Sequence, residues 1–341
     1  MDSRERYQRA LTFQGPDRAP IMHHQTAGAF RVHGKRLEAL YAKYPSDVLL
    51  SPKTRGMFAF WDRPRGTGEV GVVTRDDWGC GWLWLTSDYM GQAVEHPLAR
   101  WEALDGFRPP EPMTGVEGVR YMEQTVRQDG RRRFVLIDGG EVWQRMFFLR
   151  GFEALLVDLL EDRPEVYALR DMVVDWDIAR IQRWLETKLV DAVLIRDDWG
   201  TQEALMVRPA IWRKVFKPAY KRIVDAIHAG GANACFHTDG FTMEIIPDLI
   251  EVGFDELNPQ VHLMDVEELG RRFGGKVCFR PDIDRQRLLP RGTPEEIRAY
   301  VRRLFDAFGR SNGGFVGWGE ANADVSLANT EAMLDAFFSL R

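Results

Sequence analysis

Cys235-Phe236-His237-Thr238-Asp239-Gly240 is a short apolar run that stops abruptly at an imidazole, a carboxylate and a glycine. Read as a strand, it sets side chains two apart on one face, so Cys235, His237 and Asp239 point the same way. An imidazole and a carboxylate at that spacing can jointly hold a metal or relay a proton. The same run also reads as a strand whose last residues simply meet solvent at a turn. Other segments of the chain end the same way, and that shifts the balance toward a shared site.

Working outward, β-type runs alternate with helix-type segments from about residue 130 onward, the pattern of parallel strands joined by crossover helices. The runs are Phe134 to Asp138, Ala192 to Asp198, Ala234 to Asp239, Glu256 to Asn258, Val277 to Asp284 and Gly314 to Glu320. Helix signals lie between them. Thr293-Pro294-Glu295-Glu296 predicts a capping box with proline at the first helical position, Gly309 sits where a left-handed stop belongs, and Asp265 with Glu268 repeats the capping logic. Pro164 opens another helix, and Gly230-Gly231 closes the one before the histidine strand. Nearer the N-terminus, Ala19 to His24 and Asp47 to Leu50 read as two more strands.

Roughly eight parallel strands is the number that closes a TIM (β/α)8 barrel, so residues 1–341 are expected to form a single barrel domain. An open doubly wound sheet is the rival, but no glycine-rich phosphate loop follows the first strand. Residues 51–130 break the rhythm with proline and glycine clusters, the pair Asp76-Asp77 and the tryptophans Trp78, Trp82 and Trp84. They predict a hairpin-rich insertion after the second strand, packed near one mouth, with its tryptophans making core or oligomer contacts.

Active groups of such barrels sit at the C-terminal strand ends. Reading each run to its last residues gives His23 and His24, Asp138, Asp197 and Asp198, His237 and Asp239, Asn258 and Gln260, Asp282 and Asp284, and Glu320. Each has a structural reading beside the functional one. Asp138 before Gly139-Gly140 shapes a turn, Asp197 and Asp198 cap a helix, Asn258 before Pro259 forms a turn, and His23 and His24 point to opposite faces. His237, Asp239 and Glu320 supply one nitrogen and two oxygen donors, a set acceptable for zinc. No Cys-x-x-Cys pair, His-Glu-x-x-His helix or nucleophile elbow is present.

A formal net charge of -5 and the absence of a sustained basic stretch exclude a nucleic-acid binder. Three widely separated cysteines, Cys80, Cys235 and Cys278, together with an N-terminus lacking an apolar leader, predict a reduced, cytoplasmic chain without disulfides. No run reaches the roughly eighteen apolar residues of a membrane helix.

Four stretches resemble the uroporphyrinogen decarboxylase superfamily, which includes the heme-pathway decarboxylase and corrinoid-linked methyltransferases: RERYQRALTFQGPDRAPI near the start, DDWGTQEALMVRPAIWRKVFKPAYKRIVDAIHAGG, CFHTDGFTMEIIPDLIEVGFDELNPQ and DIDRQRLLPRGTPEEIRAYV. The resemblance spans almost the whole chain and implies a TIM barrel, with a homodimer as the usual assembly. The decarboxylase carries an Arg-Gln-Ala-Gly-Arg signature whose arginines bind substrate carboxylates. The matching stretch here is His23-His24-Gln25-Thr26-Ala27-Gly28, without those arginines, and a substrate with eight carboxylates demands dense guanidinium recognition. The methyltransferases use His-x-Cys plus a later cysteine as zinc ligands. His237 matches the histidine, Asp239 stands in the place of the first cysteine, and the later one falls near Gly319 and Glu320.

The resulting expectation is a methyltransferase-like enzyme that demethylates a small methoxylated or methylated compound, with a corrinoid held on a partner protein as acceptor. His237, Asp239, Asp198 and Glu320 are the expected catalytic groups, with zinc on His237, Asp239 and Glu320. His24, Trp199, Asn258, Asp282 and Trp318 are expected to contact substrate, the tryptophans as aromatic walls. The alternatives are a cofactor-free decarboxylase relying on Asp282 or Asp198, and a barrel retained as a non-catalytic binding module.

Overall fold

Parallel pairing organises the computed structural model, which describes residues 1–49, 69–85, 91–112 and 116–341. Its strands are β1 (Ile21–Gln25), β2 (Val73–Arg75), β3 (Gly81–Leu83), β4 (Gln92–Glu95), β5 (Leu136–Gly140), β6 (Ala192–Arg196), β7 (Asn233–Thr238), β8 (Glu256–Pro259), β9 (Cys278–Phe279) and β10 (Gly317–Ala321). Strands β5 to β9 form one parallel sheet in sequence order, and β1 pairs in parallel with β10. Helices such as Pro164–Glu186 and Lys217–Ala229 supply the crossovers that parallel neighbours require.

The expected ladder of eight strands is therefore found as five plus two, with single parallel bridges beside them. Val48 bridges Phe134, and Phe279 bridges Phe315. On the first of these segments the Asp47 N–H donates to Ile21 O at 2.8 Å and the Leu49 N–H to Phe134 O at 2.8 Å. Expected to run to Asp284, β9 stops at Phe279. Pro281 has no N–H to donate, so the ladder loses a rung two residues past Phe279.

Alternation along the strands sorts the core into two layers. Met22, Leu136, Leu194, Cys235, Cys278, Val316 and Trp318 share one buried cluster, joined by Tyr7 and Leu11 from the helix Ser3–Leu11. Their sequence neighbours Ile21, Ile137, Ile195, Phe236 and Phe279 face the helices in a second, larger cluster. One face of the sheet thus packs on itself and the other on helices, which is why these strands read as continuous apolar runs.

Strands β2, β3 and β4 form a separate antiparallel sheet. Of the expected insertion, 51–68, 86–90 and 113–115 lie outside the described residues, and its last part is the helix Val116–Asp129. Trp78, Trp82 and Trp84 are all buried. The Trp82 indole donates to Asp76 Oδ2 at 2.9 Å, Trp78 meets Trp176 edge-on at 4.9 Å, and the Arg145 guanidinium lies 4.8 Å over Trp78. This small sheet docks beside the C-terminal end of β5.

Thr293 and Glu296 form the expected capping box, and Asp265 accepts the Glu268 N–H at 2.9 Å. Gly309 differs from expectation. Its φ is -90°, and the residue is needed there for space, since a Cβ would strike the Phe305 ring. Among the described residues no helix is long and apolar enough to cross a membrane.

Candidate active site

Two glycines set the geometry of the site. Gly240, at φ +86°, packs against the Gly200 backbone so closely that a Cβ on either residue would collide with the other's main chain or its immediate neighbour. The segments leaving β6 and β7 therefore touch, with the Gly200 N–H donating to Asp239 O at 3.0 Å. That crossing brings Asp198 and Asp239 together, and the Asp239 N–H donates to Asp198 Oδ1 at 3.0 Å.

His237 stands between the two carboxylates. Its Nε2 is 3.5 Å from Asp239 Oδ1 and 3.9 Å from Asp198 Oδ1. The other ring nitrogen, Nδ1, lies 2.8 Å from Asn258 Oδ1. Asn258 cannot be turned around, because its NH2 group donates to the Arg280 carbonyl. An acceptor faces Nδ1, so Nδ1 carries the proton in the neutral ring, and Nε2 presents a lone pair to two carboxylates. Three acceptor groups facing one another call for a cation or a proton among them.

Among the described residues, Asp198, His237 and Asp239 are the group whose ligand atoms lie within 4.8 Å of one another. This differs from the expected set of His237, Asp239 and Glu320. The space toward Glu320 is filled by Arg285, whose Nη2 donates to Asp239 Oδ1 at 2.6 Å and whose Nη1 donates to Glu320 at 3.3 and 3.4 Å. Glu320 is held by that guanidinium, by the Trp318 indole at 2.9 Å and by Asn322 at 3.1 Å. Burial pushes its pKa up, but His24, Arg285 and these donors overcome it and bring the carboxyl down to about 2. Arg285 itself loses charge stability to burial and regains more from Asp239, Glu320 and Asp282. Burial raises Asp198, with His237 opposing and Asp239 adding to the rise.

Of the expected substrate contacts, His24 pairs across the β1–β10 register with Glu320 and tilts over Trp318 at 4.9 Å, at the rim. The structure places the other four as follows. Trp199 is fully enclosed, stacked on Trp143 at 5.0 Å with its indole donating to Tyr220, so it walls the core. Trp318 is pinned beneath the Arg280 guanidinium and spends its N–H on Glu320. Asn258 is buried and orients His237. Asp282 is buried with neither oxygen hydrogen-bonded, 3.7 Å from His262 and 3.9 Å from Arg285. Gln144 reaches Asp198 Oδ2 at 3.3 Å.

Asp197 points away from this group. It accepts the backbone N–H groups of Val142, Trp143 and Gln144 at 2.7, 3.1 and 2.9 Å and the Tyr220 hydroxyl at 2.6 Å, capping the helix Trp143–Arg150. Burial drives its pKa to about 7 against the pull of those donors. Asp138 pairs with Arg196 and accepts the Gly140 N–H, so its turn-shaping reading holds alongside an ion pair. Sequence reasoning missed Arg285 and Gln144 as members of the site. Arg285 lies within the DIDRQ stretch, three residues after Asp282, where a basic residue just past a strand end was the available signal.

A family model described as Uroporphyrinogen decarboxylase (URO-D) matches residues 90–337. The chain belongs to this family. Over 98% of its length it is 22% identical to a uroporphyrinogen decarboxylase of Psychromonas ingrahamii, of which 97% is covered. Among solved structures it is similar to a methyltransferase from Methanosarcina mazei, with a TM-score of 0.68 at 14% identity, covering 99% of this chain and 98% of the other. In this uroporphyrinogen decarboxylase family member, only one of the two imidazoles that end β1 reaches the rim. His23 is buried against Tyr41 at 4.4 Å, and His24 faces Glu320.

Proposed function

We propose that this chain is a methyltransferase-like enzyme that demethylates a small methoxylated or methylated compound, with a corrinoid on a separate protein as methyl acceptor. The observation that carries this reading is the position of His237 Nε2 between Asp198 and Asp239, 3.9 and 3.5 Å from their oxygens. The donor set fits a divalent metal such as zinc, with Asp198, His237 and Asp239 as the residues that would hold it and Asn258 fixing the imidazole from behind. A metal bound there supplies Lewis-acid polarisation of an ether, hydroxyl or thiol group. The residues themselves orient the substrate: His24 and Glu320 border the site opposite Asp198, and Gln144 steadies Asp198. The single-bridge links at Val48 and Phe315 and the shared inner cluster support a closed barrel around this site.

Three carboxyl groups, from Asp239, Asp282 and Glu320, face the guanidinium of Arg285, and Asp198 adds a fourth on the other side of His237. Such a balance disfavours a polycarboxylate substrate. A neutral or cationic methyl donor meets no such repulsion. Turnover of methoxyaromatics or methylamines with a Co(I) corrinoid protein is the direct test, and no demethylation across both classes would remove the proposal.

The full-length match to the Psychromonas decarboxylase favours a second reading, cofactor-free decarboxylation with Asp198 stabilising developing positive charge. Coproporphyrinogen formation from uroporphyrinogen would reverse the ranking. We place the chain in the cytoplasm, and a homodimer is the assembly that the family resemblance implies; light scattering of the purified chain tests the dimer.

A further inference from the structure

Arg285 touches the same carboxylate that a metal on Asp198 and His237 would need. Its Nη2 sits 2.6 Å from Asp239 Oδ1, the oxygen that is also 3.5 Å from His237 Nε2. The rest of the guanidinium is loosely engaged, with Nη1 at 3.3 Å or more from Glu320 and Nε at 3.9 Å from Asp282. Two anions therefore wait within a small side-chain movement of a group that now favours a third. The backbone beneath is fixed: Asp284 Oδ1 accepts the N–H groups of Gln286 and Arg287, each at 2.9 Å, so the Arg285 side chain can swing while its Cα stays in place.

We propose that Arg285 is a built-in cation that holds the metal's place on Asp239 and moves onto Glu320 and Asp282 when a divalent ion binds. The inference rests on the metal reading of Asp198, His237 and Asp239 given above. The Arg285 charge on Asp239 balances one of the two carboxylates that share this corner with the imidazole. It also gives Glu320 a role outside the ligand set, as the landing place for the displaced guanidinium. The arrangement makes the site selective by charge, because a monovalent ion gains too little to displace a guanidinium held at 2.6 Å.

Isothermal titration of Zn2+ into the metal-free full chain tests this directly. Arg285→Met, which keeps the bulk and loses the charge, should bind zinc about tenfold more tightly than the parent, while Arg285→Lys should stay near the parent value. Glu320→Gln should weaken binding about tenfold, and combining it with Arg285→Met should restore tight binding. A Glu320 that ligated the metal would leave that double variant weak. Equal or weaker binding by Arg285→Met overturns the placeholder role and leaves the metal site standing. Absence of zinc binding in every protein overturns both. Should Arg285→Met fail to fold, the inference is decided by Glu320→Gln: unchanged affinity in that variant overturns it.

Discussion

His237 Nδ1 and Asn258 Oδ1 lie 2.8 Å apart, and this one hydrogen bond determines which imidazole nitrogen faces the carboxylates. Strand register creates the contact. His237 and Asn258 are directly paired between β7 and β8, so both project from the same face at the same height.

Removing that partner should release the tautomer. In the parent protein, nitrogen-15 chemical shifts of His237 should report the Nδ1–H form. Asn258→Leu should give a mixture of forms and lower zinc affinity by roughly 10- to 100-fold, the usual cost of losing such an orienting partner. An unchanged tautomer in Asn258→Leu would show that the ring is oriented by something else.

Gly240 cannot accept a side chain without separating the two loops. Gly240→Ala should disorganise the Asp198–Asp239 contact and abolish metal binding, with a loss of stability of about 3 kcal/mol or more from strain at positive φ and backbone collision. Wild-type affinity in a folded Gly240→Ala protein would show that the crossing does not set the site.

Burial holds His23 at a pKa of about 4, against 6.5 when exposed. The unfolded chain therefore takes up a proton as pH falls through 6.5 while the native protein does not, so this residue's contribution to stability is present above pH 6.5 and is lost as pH drops toward 4. Between pH 7 and pH 5 the loss is about 2 kcal/mol. Urea titrations of the parent and His23→Phe at the two pH values should show that much less pH dependence in the variant, and parallel curves would count against a buried neutral His23.

Glu256 and Arg280 form a wholly enclosed pair at 2.6 Å, completed by the Tyr7 hydroxyl at 2.5 Å from the carboxylate. Glu256→Gln alone should cost about 3 to 5 kcal/mol by stranding the guanidinium. Replacing both charges, as in Glu256→Leu with Arg280→Met, should recover most of that loss. Denaturation midpoints of the single and double variants check it, and strict additivity would be the contrary result.

The alternating runs and capping residues made the parallel strands and their helices legible, because side-chain period and cap chemistry are local properties. His237, Asp239 and Asp198 were legible for the same reason, as polar groups ending apolar strands. What escaped was whatever depended on a neighbour far away in sequence. Asn258 before Pro259 looks locally like a turn former, and only its register beside His237 reveals its work. Trp199 follows two aspartates at a strand end, yet the chain turns it into the core to meet Trp143 and Tyr220. Glu320 has a ligand's chemistry, but Arg285 reaches it across a distance no sequence spacing encodes. The expected long β9 failed at Pro281, a residue whose missing donor was visible in the sequence all along.

The pairing of Ile21–Gln25 with Gly317–Ala321 has a consequence for biosynthesis. While the chain is being made, the earliest strand has no lasting partner on that side until the latest one has left the ribosome. Until then its apolar edge is exposed to any other strand that passes, and the chain's vulnerability to aggregation should fall once Gly317–Ala321 has emerged and paired.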